Sequence, residues 1–319
     1  MRKKKSRDYN MDMYASGRVR ALETTLLTPE RTQRLIESNV QDGYRILAEC
    51  GYELSACDTN AKGSEGIYAV SKLLNSEREK LYSLAESISL NPDLVGFFRA
   101  KIDCHNIKTV LKSDYLGQDA ENLMLSGGNF SKKLVEDTLK SKNYQPLGPV
   151  WAEAVEKARD ILSRTSDGQL SDFELDIAMI NVCCDYAEKS DSKFLVKYAR
   201  FTADKINLKS AVRLMRIKDG ARLAEYALSE KGDVAKKDVI SAMSALDLTW
   251  AYRKTPLSEA AEAGTNALKG AGALSDFELE LEKADKAFFE DVKYIGFGPE
   301  ILIAYLNARE REYTTVRTI

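Results

Sequence analysis

The feature that most constrains this sequence is that it repeats itself. Leu170-Ser171-Asp172-Phe173-Glu174-Leu175-Asp176 returns 104 residues later as Leu274-Ser275-Asp276-Phe277-Glu278-Leu279-Glu280, with one Asp-to-Glu exchange at the end. Leu125-Ser126 with Lys132-Lys133 is echoed by Leu228-Ser229 with Lys236-Lys237, at offsets of 103 and 104. Asp103-Cys104-His105-Asn106-Ile107-Lys108 is echoed by Asp204-Lys205-Ile206-Asn207-Leu208-Lys209 at an offset of 101. A weaker version, Glu312-Tyr313-Thr314-Thr315-Val316-Arg317, closes the chain. One short match would mean little. Agreement near a single period of about 103 residues predicts three copies of one unit, at 1–116, 117–220 and 221–319.

Each unit reads as helices. Trp151, Val155, Ala158 and Leu162 form one apolar stripe with charges opposite. Asn91-Pro92 offers an N-cap followed by proline in the first helical turn, and Leu27-Thr28-Pro29 and Gly298-Pro299 mark two more helix starts. Ser171 and Ser275 are expected as N-caps, with Glu174 and Glu278 completing capping boxes and the flanking leucines forming staples. Gly127-Gly128 reads as a turn. Phe97, Phe98, Phe288 and Phe289 are expected in the core. With 18 glycines and 6 prolines in 319 residues, breakers are scarce. No run of strict alternation suggests a strand. The expected fold class is all-α, three similar helical units.

Composition then excludes functions. Lys and Arg number 47 against 49 Asp and Glu, a net charge of −2 that gives no general reason to expect nucleic acid. No charge-free run exceeds 10 residues, well short of the roughly 20 that span a bilayer. The N-terminus has no apolar signal stretch, so a cytoplasmic chain with reduced thiols is expected. His105 is the only histidine, which removes two-histidine metal sites and weakens any Ser-His-Asp triad. No glycine-rich loop ends in Gly-Lys-Ser/Thr, and no Asp-Asp-x-x-Asp-like cluster suggests prenyl transfer. The residues thus argue against an enzyme, with no catalytic, metal or cofactor site expected. Arg2, Lys3, Lys4, Lys5 and Arg7 form a basic tail, read either as a solvated end or as an attraction to anionic lipid headgroups.

The Asp-x-x-Asn-x-Lys element carries two readings. Asp103 and Asn106 share a helix face, while Lys108 projects elsewhere. As a docking surface it would serve a partner. As a repeated hydrogen-bond set between helices it would serve the fold, and this second reading is favoured because a partner usually breaks symmetry.

These motifs, in this order, resemble the C-type (or d-type) rotor subunits of the V/A-type rotary ATPases. The N-terminal match is Tyr14-Ala-Ser-Gly17-Arg18-Val-Arg20-Ala-Leu22-Glu23. The internal matches are Asp103, Asn106, Lys108 and Asp204, Asn207, Lys209. The C-terminal match runs from Pro299-Glu300 through Ala304-Tyr305-Leu306-Asn-Ala308-Arg309-Glu310 to Val316-Arg317-Thr-Ile319, with Thr315 where the family leads one to expect Asn. The resemblance implies a pseudo-threefold funnel that works as a non-catalytic rotor adapter in ATP-coupled proton or sodium transport. Its partners would be the D and F proteins of the central stalk and the membrane proteolipid ring, with the adapter peripheral on the cytoplasmic face. The alternative reading is a generic helical-repeat scaffold for other proteins.

Overall fold

The computed structural model describes residues 9–61, 63–89, 91–217 and 220–319. The basic residues Arg2, Lys3, Lys4, Lys5 and Arg7 lie outside the described residues. The described residues form fifteen α-helices, a few short 3-10 turns and no strand, so the chain is all-α. No helix among them is long and apolar enough to cross a membrane.

The first five helices are α1 (Tyr9–Glu23), α2 (Pro29–Glu37), α3 (Val40–Glu49), α4 (Ser64–Ile88) and α5 (Pro92–Leu116). Then follow α6 (Lys132–Ser141), α7 (Pro149–Thr165), α8 (Gly168–Lys189) and α9 (Lys193–Leu214). The last six are α10 (Gly220–Ala227), α11 (Lys236–Ser244), α12 (Thr249–Tyr252), α13 (Ser258–Leu268), α14 (Leu274–Phe288) and α15 (Pro299–Thr318).

Local chemistry sets several helix ends where expected. The Thr28 and Asn91 side chains accept the Arg31 and Asp93 amide N–H groups, with Pro29 and Pro92 just inside α2 and α5. Helix α5 stops at Gly117, whose φ of 65° is the left-handed conformation that glycine adopts without strain. The stripe Trp151, Val155, Ala158 and Leu162 is buried along α7.

Both expected serine caps are corrected. Helix α8 starts earlier, because Asp167 accepts the Gln169 N–H and Gly168-Gln169-Leu170 already lie in the helix. Ser171 is then fully buried in the first turns, its hydroxyl donating to the Gly168 carbonyl. Helix α14 has Ala273 at its cap, and Asp276 rather than Glu278 reaches back to accept the Ala273 N–H at 3.2 Å. The heptapeptide repeats as part of a helix face, not as a cap.

Helix α15 packs against α1, α4, α5 and α9. Ile301, Leu302, Ile303, Tyr305 and Leu306 are buried on it, and so are the polar Asn307, Arg309 and Glu312. Where α5, α9 and α14 meet, seven rings interlock: Phe97, Phe98, Phe194, Tyr198, Phe201, Phe288 and Phe289, with neighbouring centroids 4.9–6.4 Å apart. Such pairs contribute about 0.5–1.5 kcal/mol each beyond area burial. Phe97 and Phe98 are core, as expected, while Phe288 and Phe289 are half-buried.

Candidate functional site

Asp103 and Asn106, on α5, face the loop that leads into α6. The Asp103 carboxylate accepts the Phe130 N–H at 3.1 Å and the Asn129 side-chain amide at 2.8 Å. Asn106 pairs with the Leu125 backbone both ways, accepting its N–H and donating to its carbonyl, each at 2.8 Å. On α9 the pattern recurs. Asp204 accepts the Val234 and Asp233 N–H groups at 3.1 and 3.0 Å, and Asn207 pairs with the Ser229 backbone both ways at 2.8 Å. All four side chains are buried. Their bonds satisfy backbone groups that would each cost about 1–3 kcal/mol if left buried and unpaired.

The basic members turn the other way. Lys108 pairs with Asp176 of α8 at 2.7 Å, and Lys209 with Glu278 of α14 at 2.6 Å. Asp176 and Glu278 both lie in the repeated heptapeptides, although Glu280 is the strict counterpart of Asp176. The element is therefore a clasp. Its Asp and Asn hold the loop ahead, and its Lys ties to a neighbouring helix.

Helix α15 carries the third version, and its loop is the one between α1 and α2. Glu312 accepts the Leu27 N–H at 2.7 Å, and Leu27 immediately precedes the α2 cap, as Phe130 and Val234 precede α6 and α11. Glu312 also accepts the Tyr52 hydroxyl at 2.6 Å and pairs with Arg309, whose Nη2 donates to Thr25 Oγ1 at 2.7 Å. Thr315 does not take the place of an asparagine, since its hydroxyl donates to the Arg311 carbonyl of its own helix. Arg309 supplies the cross-chain bond instead.

Side-chain lengths match across the clasps. A Cβ on Gly128 would lie 2.4 Å from Asp103 Oδ1, and one on Gly232 would lie 1.9 Å from Asp204 Oδ1. Neither glycine has a positive φ, so close approach to the carboxylate, not backbone conformation, requires them. Two residues before Leu27 stands Thr25, which has a Cβ, and there the acid is the longer Glu312.

Further contacts join the two ends. Arg20 on α1 pairs with Glu23 at 2.8 Å and donates to the Val292 and Ile295 carbonyls at 2.6 and 3.0 Å. Ser16 Oγ accepts the Gly298 N–H at 3.0 Å. Glu310 accepts from Arg78 Nε at 3.0 Å and from the Tyr82 hydroxyl at 2.9 Å, tying α15 to α4. Arg18 is exposed and donates to the Tyr14 hydroxyl at 3.4 Å. Arg317 is exposed near the end of α15, and among the described residues no carboxylate lies within 4 Å of it.

Among the described residues one network has no counterpart in the repeats. Asp285 of α14 pairs with Lys205 of α9 and accepts the Asn307 amide at 2.9 Å, while the Tyr198 hydroxyl donates to Asn307 Oδ1 at 2.7 Å. Burial alone would raise the Asp285 carboxyl, but Lys205 and the Asn307 bond outweigh it and hold it below the usual range. Lys101 Nζ lies 4.8–5.4 Å from the ring centres of Phe97, Phe98 and Tyr198, and desolvation holds its pKa down. Sequence patterning does not single out Asp285, because it looks like any other acid on a charged helix.

Burial pushes the Asp103 and Asp204 carboxyls up to about 6 from the ordinary 3.8, against the N–H bonds, which pull down. A raised folded-state carboxyl contributes stability that is full below the unfolded value and is lost as pH rises through about 6. From pH 7 to pH 5, Asp103 is thus expected to add roughly 1 kcal/mol. Asp103→Asn, which can still accept the Phe130 N–H, would forfeit that gain. Urea unfolding of both proteins at the two pH values checks this; a stability difference that does not change with pH would contradict it.

A family model described as ATP synthase (C/AC39) subunit matches residues 15–319. The C subunit of the A-type ATP synthase of Haloquadratum walsbyi is 22% identical, across 96% of this chain and 92% of that protein. Its namesake from Haloferax volcanii is 23% identical, across 96% and 91%. The C subunit of the V-type sodium ATPase of Enterococcus hirae is 20% identical, across 94% and 90%. The match thus runs from α1, through every clasp, to the end of α15. The chain belongs to the C/AC39 family of the A/V-type ATP synthases, whose members are non-catalytic accessory parts of the rotary complex.

Proposed function

We propose that this chain is the rotor adapter of a V/A-type ATPase, a socket that joins the D and F proteins of the central stalk to the membrane proteolipid ring on the cytoplasmic side. Its units, 1–116, 117–220 and 221–319, would form a pseudo-threefold funnel, and torque would pass through it in coupled proton or sodium transport. The observation that carries this reading is the closing clasp. The bond from Leu27 to Glu312 ties the start of the first proposed unit to the last helix, as Asp103 and Asp204 tie their own following loops. An open row of repeats would leave its first loop and last helix without each other. A part loaded by torsion is better served by a closed ring of buried, hydrogen-bonded joints, because such joints have little slack.

The stalk would dock by a largely polar contact, with charge setting orientation and on-rate. The basic residues at 2–7 would add weak attraction to anionic headgroups beside the ring. Ten of the twelve motif residues (Arg20, Glu23, Asp103, Asn106, Lys108, Asp204, Asn207, Lys209, Arg309 and Glu310) would serve mainly to hold the ring in shape, while the exposed Arg18 and Arg317 would not. The reading is tested by mixing the purified chain with a purified central-stalk pair. A stoichiometric complex is expected, and absence of any complex would remove it.

A further inference from the structure

Arg317 differs from its two counterparts. Lys108 and Lys209 each have a carboxylate within 2.7 Å, whereas among the described residues Arg317 has none within 4 Å. Its side chain instead lines a cavity of about 250 Å³ among α4, α5, the loop before α6 and the end of α15. Arg78 and His105 line the same cavity, with Ser71, Asn122 and Thr314, and among the described residues no Asp or Glu lines it. Arg78 is 5% exposed, and only its Nε meets Glu310, while its buried Nη1 has no hydrogen-bond partner among the described residues. A buried guanidinium nitrogen without an acceptor is costly, and such groups call for an explanation.

We infer that this cavity binds a small phosphate-class oxyanion, held by Arg317 and Arg78 with help from the neutral donors around them. A guanidinium presents a planar fork suited to oxyanions, which a lysine does not. The repeat supports the same conclusion: its basic residue is answered twice by a carboxylate of this chain, and the third time it is left for an anion from outside. A tetrahedral dianion can use donors from two guanidiniums, a hydroxyl and an amide together, whereas a single carboxylate or a chloride uses fewer. Burial first, and then the charges of Arg317 and Arg78, keep the His105 pKa low, so the positive field of both arginines reaches the imidazole. Its Nε2 faces the Leu123 carbonyl at 3.1 Å, and a carbonyl can only accept, so that nitrogen carries the proton. Glu310 already balances Arg78, so the site has a surplus of about one positive charge and binds weakly, saturating at millimolar concentrations.

The experiment uses the full chain and its single histidine. The imidazole Cε1–H resonance is followed by NMR during titration with inorganic phosphate at fixed pH and ionic strength, with parallel titrations of sodium acetate and sodium chloride. A saturable shift with phosphate is expected, at least tenfold weaker in Arg317→Gln and much smaller with the other two salts. The exposed Arg317 can be changed without disturbing the core, which an unchanged circular dichroism spectrum would verify. No saturable shift, an equal response in Arg317→Gln, or an equal response to acetate or chloride would overturn the assignment. Binding to the central stalk is read separately, so failure here leaves the adapter reading standing.

Discussion

Replacing Glu312 with alanine is expected to lower the unfolding free energy by about 5 kcal/mol, a large share of what a folded domain possesses. The change strands three groups at once. The Leu27 N–H and the Tyr52 hydroxyl lose their acceptor, at about 1–3 kcal/mol each, and Arg309, which is 8% exposed, keeps a buried charge whose carboxylate is gone. Breaking a buried ion pair by removing one member alone costs about 3–5 kcal/mol. The terms overlap, so their sum is an upper bound. Hydrogen exchange should localise the effect, with the Leu27 amide losing protection before amides deep in α8. Arg317→Gln, at an exposed site, is the control and should stay within about 0.5 kcal/mol. A loss below about 1 kcal/mol in Glu312→Ala would mean that the two ends of the chain are not held together by this clasp.

The second large effect is expected from adding one methyl group. Gly232→Ala places a Cβ 1.9 Å from Asp204 Oδ1, and the carboxylate cannot retreat without giving up the Val234 and Asp233 amides. Overpacking of this kind costs about 1–3 kcal/mol, and loosening the clasp adds to it, so about 3 kcal/mol is expected. Because Gly232 has no positive φ, alanine should otherwise be tolerated and even favoured through the unfolded chain. Gly117→Ala is the contrasting substitution: it would be strained by its φ of 65°, yet a Cβ there meets nothing within 4 Å. Thermal and urea unfolding measure both. Stabilisation by Gly232→Ala would show that the loop yields freely and that the match between glycine and carboxylate is incidental.

Much of this is legible in the sequence, and the reasons are physical. The near-103-residue offset is visible because the first two copies hold their following loops by the same two side chains, and side-chain-to-backbone bonds of fixed length tolerate few alternatives. Spacing alone marks Asp103, Asn106, Asp204 and Asn207 as a repeated polar set, but it suggests bonds between helices, whereas their partners are backbone groups of the following loop. The helix starts at Thr28, Asn91 and Gly298 are readable because proline in the first turn is a local signal. Ser171 misleads because Asp167, four residues earlier, is an equally good cap and gains just over a turn of helix.

What stays hidden is what depends on meeting a distant segment. Glu312 is recognisable as a weakened copy of Asp103, but nothing local says that its loop is the first one in the chain. The Gly128 and Gly232 echo is present at the same 104-residue offset, yet its meaning needs the carboxylate beside it. Asp285 and Lys205 are ordinary as letters, and become a hub only when α9, α14 and α15 converge. The missing partner of Arg317 emerges only when all three copies are compared.

The most direct test of the adapter reading is a salt series on the proposed joint between this chain and a central stalk. The purified chain is mixed with the purified D and F pair, and the dissociation constant is measured from low to high sodium chloride. A one-to-one complex is expected, weakening steadily as salt rises, because exposed charges are screened beyond about 8–10 Å at physiological ionic strength. No complex at any salt concentration would contradict the account.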